Sequence, residues 1–177
     1  MLLATGFAPV SESINYQPKV LTNELQKAGV ADISDITEIK LPDSVLKSNR
    51  INGKYFLIEG HEESHFKYIY IGRVNSCRAG GCSLSGNPRR DLESEYFDYY
   101  LLFDKNKTVQ SIRVFNYQAT HGQEITARGW LRQFIGHKEN EPLQVDKNID
   151  AISGATISVY AITADVEHKT ALLRYVQ

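Results

Sequence analysis

Residues 96 to 117, YFDYYLLFDKNKTVQSIRVFNY, constrain the chain more than any other stretch. Two runs dense in aromatic and β-branched residues stand either side of Lys105, Asn106 and Lys107. Such residues suit a pleated, partly buried surface, and three polar residues between them leave room only for a tight reversal. This is the strongest hairpin signal in the chain. KYFLIEG (54–60) and FKYIYIGRV (66–74) read as two further strands by the same composition.

Helical signals flank the strands. Pro18 opens PKVLTNELQKAG, where Val20, Leu21, Leu25 and Ala28 share a face and Gly29 closes the run. EITARGWLRQFIG predicts a second helix, with Ile125, Trp130, Leu131 and Phe134 on one face and Gly136 as its stop. TISVYAITADVEHKTALLRYV predicts the last helix, with Ala161, Ile162, Val166 and Leu172 facing inward. Strands in the middle with helices before and after them predict an α+β fold. The expectation is a single domain with a central antiparallel β-sheet flanked by helices. The length of 177 residues suits one ordinary domain, and 42% hydrophobic residues can fill a core.

Charge removes some functions from consideration. The formal net charge is −1 and the Arg89-Arg90 pair is not a basic run, so nothing points to a nucleic-acid surface. No stretch approaches the roughly 20 apolar residues of a membrane helix. The opening MLLATGFAPVSE has a short apolar run ending in small residues. It reads either as the remnant of a secretory signal or as a plain terminus.

The chemistry concentrates in DAISGATIS, residues 150–158. Ser153, Thr156 and Ser158 place hydroxyls where the last helix should begin, and Gly154 and Ala155 leave space beside them. A helix N-terminus offers unpaired N–H groups and a positive dipole end, which together can hold a phosphate. The plainer reading of the same residues is an N-cap at Ser153 or Thr156, and from residue chemistry alone it is the commoner one.

Asp150, Ser153, Gly154, Ala155 and Thr156, followed by Ile157 and Ser158, resemble the flavinylation motif of the FMN-binding domain family. That family includes the C subunit of the sodium-translocating NADH:quinone reductase and the G subunit of the Rnf complex. The resemblance covers about residues 51–177, leaving 1–50 as an N-terminal extension with a short helix and the signal-like start. It implies that FMN is the cofactor, joined by a phosphoester to Thr156 through a separate flavin transferase. It also implies an extracytoplasmic electron carrier, working with redox partner proteins that include membrane-bound ones. Such a protein is a carrier or a subunit of an oxidoreductase rather than a stand-alone catalyst. The family's respiratory subunits carry a Glu-Thr-Pro-Gly-Leu-Gly-like loop near the flavin. Here the corresponding ATHGQE keeps Thr120 and Gly122, lacks the proline and has His121 in the register. The expectation is therefore a site of Asp150, Ser153, Gly154, Ala155, Thr156 and Ser158 facing Thr120, His121 and Gly122, with Gly122 and Thr156 at one pocket. Trp130 and Phe134 are either walls for the flavin or plain core, and Lys147 either pairs with the phosphate or faces water. Two rival functions stand beside this one. One is a module that binds FMN reversibly, or binds only a partner. The other is a thiol-redox protein built on Cys77 and Cys82.

Those two cysteines bracket Arg-Ala-Gly-Gly, a loop flexible enough for a disulfide. The readings are a structural clip, a redox-active dithiol, or a zinc site completed by His61 and His65. HEESH (61–65) has the letters of the H-E-x-x-H zinc motif, which requires a helix, whereas its position between two strands predicts a turn.

Overall fold

A computed structural model describes residues 13–30, 33–49, 51–61, 63–76 and 95–176. Five strands form one sheet in which spatial order follows chain order: β1 (Ile36–Ile39), β2 (Gly53–Ile58), β3 (Tyr68–Asn75), β4 (Tyr96–Phe103) and β5 (Val109–Tyr117). Every pairing is antiparallel. The α+β architecture with a central antiparallel sheet is as the sequence predicts. The short strand β1 and the helix α2 (Asp43–Ser48) carry too few residues to stand out in it.

The predicted hairpin is β4–β5. Asp104 makes its turn: Oδ1 accepts from the backbone N–H of Asn106 at 2.8 Å and of Thr108 at 3.0 Å. Lys107 takes φ +61° to close it. A side-chain carboxylate standing in for a backbone acceptor is what makes Asp common at such reversals.

β4 is covered on both faces, and this explains why YFDYYLLF is nearly continuous in apolar residues. Phe97, Tyr99, Leu101 and Phe103 point to one side, and Tyr100 and Leu102 to the other, all with no exposed surface. An alternating strand would leave one side wet; a strand that fills two cores cannot alternate. Asp98 breaks the apolar run and is itself buried, in a two-bond pair with Arg73 Nε (2.6 Å) and Nη2 (2.9 Å) that ties β3 to β4.

The first core lies under α4 (Thr156–Leu172), where Val159, Ile162, Val166 and Leu172 pack onto Tyr55, Tyr70, Phe97 and Tyr99. Ile162, Val166 and Leu172 are buried as predicted, and Ala161 is half-buried. The second core lies under α1 (Lys19–Lys27), where Leu21 and Leu25 meet Ile58, Ile69, Ile71, Tyr100 and Leu102. The first 50 residues thus supply a helix to one face of the sheet and a strand to its edge. Among the described residues no helix is long and apolar enough to cross a membrane.

One predicted helix is broken. EITARGWLRQFIG forms a 3₁₀ turn (Gln123–Thr126), a single helical turn α3 (Arg128–Leu131) and another 3₁₀ turn (Arg132–Phe134). Ala127 is extended (φ −64°, ψ 123°) and interrupts the run. Ile125, Leu131 and Phe134 are still buried, so the segment follows the core without completing a helix.

Candidate functional site

The corner where α4 begins is built from three directions. From the chain before it, Ser153 and Gly154 make a turn in which Gly154 takes φ +83°, a conformation that costs glycine little and other residues more. Ala155 follows as N-cap, buried, with its N–H donating to Ile152 O at 3.1 Å. No side chain caps α4. The capping reading of Ser153 and Thr156 is therefore not what the structure adopts. Thr156 is the first helical residue and is exposed, as are Ser153, Gly154 and Ile157. The leading N–H groups of a 17-residue helix thus end at an open corner without a side-chain acceptor.

The second direction is α3 and its following turn. Trp130 Nε1 donates to Asp150 O at 2.8 Å, and Asp150 N–H donates to Gln133 Oε1 at 2.7 Å. One peptide segment is gripped by two side chains, which fixes the approach to the Ser153–Gly154 turn. Phe134 lies edge-on to Trp130 with centroids 5.4 Å apart and is fully buried. Phe134 is core, and Trp130 is half-buried against the turn at Asp150.

The third direction is the loop after β5. Ser158 is buried, and its hydroxyl lies 3.1 Å from Tyr117 OH and 3.3 Å from Ser76 Oγ. Tyr117 OH also donates to His121 O at 2.5 Å, and its ring stacks on Phe97 at 5.7 Å. Burial pushes the Tyr117 phenol above its ordinary range, with the Ser158 bond opposing, so it stays a neutral donor. Gly122 follows with φ +87°. A Cβ there would stand 2.7 Å from Ser158 Oγ and 3.0 Å from Tyr117 OH. The backbone at 122 therefore lies directly against the first turn of α4.

The structure brings the predicted residues to one corner with differing orientations. Thr156, Ser153 and Gly154 face outward, while Ser158 turns inward and serves as the joint. Thr120 and His121 are exposed. Thr120 Oγ1 donates to Glu95 Oε1 at 2.5 Å, and His121 contributes only its carbonyl to the joint. Lys147 is exposed, in a turn held by its own N–H on Gln144 O. Tyr117, Ser76 and Gln133 were not singled out in the sequence. Each is a common polar residue at an element end or in a short helix, and no spacing marks it.

Cys77 and Cys82 lie outside the described residues. In the 61–65 stretch, His61 Nε2 lies 2.6 Å from Asp35 Oδ2 and the His65 ring packs on Phe66. The described residues of that stretch, 61 and 63–65, lie between β2 and β3 and are not helical.

Residues 97–169, from the start of β4 through most of α4, match the FMN-binding domain family. No curated protein matches the chain. The matched span contains β4, β5, the loop at Gly122, the grip on Asp150 and the start of α4, and FMN is the cofactor of such a domain.

Proposed function

Because the chain carries a domain of the FMN-binding family over residues 97–169, we propose that it is an extracytoplasmic electron carrier holding FMN covalently through Thr156. The carrying observation is the uncapped start of α4, with an exposed Thr156 behind a left-handed Gly154. The residues present suit the cofactor's phosphate. Free helix N–H groups and the dipole favour the negative charge of the phosphodiester there. Small residues at 154 and 155 leave the approach open, and the Thr156 hydroxyl is accessible for a phosphoester. When bound, FMN supplies one- and two-electron chemistry through its ring.

The protein's own residues hold and orient. The α4 N-terminus takes the phosphate, and Trp130 and Gln133 keep the preceding segment from swinging. Tyr117 and Ser158 fix the Thr120–Gly122 loop beside it, so that loop backbone lies alongside the flavin site. The flavin transferase acts on Thr156, and redox proteins, membrane-bound ones among them, exchange electrons with the loaded form.

The test is mass and colour. Co-expressed with a flavin transferase in an export-competent host, the chain gains the mass of one FMN less one water. Its yellow colour stays with the polypeptide in acid. Thr156→Val gains nothing, and Ser153→Ala is still modified. Flavin mapped to another residue overturns the attachment, and colour released by acid from the wild type favours reversible binding.

A further inference from the structure

A pocket lies away from the α4 corner, between β5 and the segment that carries α3. It has a volume of about 120 Å³ and is lined by Ser111, Ile112, Arg113, Arg128, Leu131, Arg132 and Ile135. Three of these are arginines, brought from β5, α3 and the 3₁₀ turn after it. Arg113 projects from β5, while Arg128 and Arg132 sit one helical turn apart at the start of α3 and just after it. Among the described residues neither Arg128 nor Arg132 makes an ion pair. Among the described residues the Nε of Arg113 is buried without a hydrogen-bond partner and is turned towards Glu24, while Arg128 and Arg132 are exposed. Among the described residues the carboxylate paired with it is Glu24, which stands 3.9 Å off and accepts from Tyr100 OH at 2.5 Å. Glu24 thus offsets one of three positive charges and leaves two.

Like charges gathered at a concave surface repel unless a counter-charge is present, and a buried guanidinium N–H without an acceptor is costly. Guanidinium forks match tetrahedral oxyanions in geometry as well as charge. The pocket is small and bounded by Ile112, Leu131 and Ile135, which suits a compact anion rather than an extended acidic chain. We infer that the Arg113–Arg128–Arg132 pocket is a phosphate-binding site, for inorganic phosphate or a phosphate monoester, distinct from the corner at Thr156. This does not rest on the flavin reading, since the two sites share no residue.

The experiment is calorimetric titration of the full chain with inorganic phosphate in low-salt HEPES buffer, where screening is weak. It is done on protein with and without flavin, so that occupancy at α4 is accounted for. The flavin-loaded form is expected to show one site, and the arginine-dependent site is the one common to both forms. Arg132→Gln should weaken it about tenfold, the loss of one charge-assisted contact. Arg128→Gln/Arg132→Gln should abolish it, and Lys105→Gln, an exposed cation on the far hairpin turn, should leave it unchanged. Circular dichroism of each variant establishes that it is folded. Flotation with phosphatidylcholine vesicles, with and without phosphatidic acid, then separates a lipid phosphate from a free one, and either result supports the site. No heat with phosphate, or equal binding by the double variant, overturns it. Response to poly-glutamate with none to phosphate overturns it in favour of an acidic protein partner.

Discussion

Gly122 and Ser158 are in contact across the corner: any Cβ on Gly122 would lie 2.7 Å from Ser158 Oγ. The loop after β5 and the first turn of α4 therefore approach as closely as a glycine backbone permits. The left-handed φ of +87° imposes the same residue independently.

Gly122→Ala meets both constraints at once. The strained backbone conformation alone costs about 1–3 kcal/mol. The clash forces Ser158 or Tyr117 to move in addition. The expected outcome is a lower urea midpoint together with reduced flavin loading, measured on the same preparation.

Ser158→Ala and Tyr117→Phe each remove one hydroxyl from the Ser76–Ser158–Tyr117–His121 chain. The partners left behind are partly buried, so each variant should lose about 1–2 kcal/mol. Because both act on one network, the double variant should lose less than the sum. Additive losses in chemical denaturation would show that the two hydroxyls are energetically separate.

Trp130→Phe keeps an aromatic ring against Phe134 and deletes only the bond from Nε1 to Asp150 O. The expected stability loss is about 1 kcal/mol. Loading should fall further than that figure implies, because the segment leading to Thr156 loses one of its two grips. Full loading in the mass spectrum would refute a positioning role for this indole.

Two histidines make stability depend on pH. Burial lowers the His137 imidazole from its ordinary value, with Glu167 and Glu141 opposing, and its Nε2 is buried without a hydrogen-bond partner. His168 is lowered by burial and then by the Lys169 charge beside it. Both bind protons more weakly folded than unfolded. Their neutral forms thus favour the fold above the unfolded pKa of 6.5, and stability falls as pH drops below it towards the folded values. The urea midpoint should therefore decline from this source as pH falls below the unfolded value of 6.5. His137→Gln should flatten the decline; an unchanged slope would place its origin elsewhere.

The strands that bear the site were legible because aromatic and β-branched runs at 96–103 and 109–117 admit few other structures. The pattern at 150–156 made the FMN-binding family legible, and the match over residues 97–169 agrees with it. The broken helix around Trp130 was not, since its apolar spacing follows the core whether or not the backbone stays helical, and only Ala127's extended conformation decides. Nor could the sequence separate Ser158 from Ser153. Both are small hydroxyl residues near a helix start, and a half-turn's rotation sends one to the interior and the other to solvent. Lys169 shows the same gap. Its side chain is 2% exposed beside Asp165, at a position where lysine ordinarily reads as surface.

The order of strands in the sheet has a consequence for when the corner comes into being. Each strand pairs with its neighbour in the chain, so β4 and β5 can join through a short loop closure while the C-terminal third is still unstructured. The corner has no such shortcut. It joins Ser76 at the end of β3, Tyr117 and Gly122 at the end of β5, and Ser158 in the last helix, and it exists only once that helix has docked. Until then Thr156 belongs to a tail with no oriented N–H groups to offer. The geometry that recommends this threonine is thus a late product of folding, and a process that requires it operates only on chains that have finished.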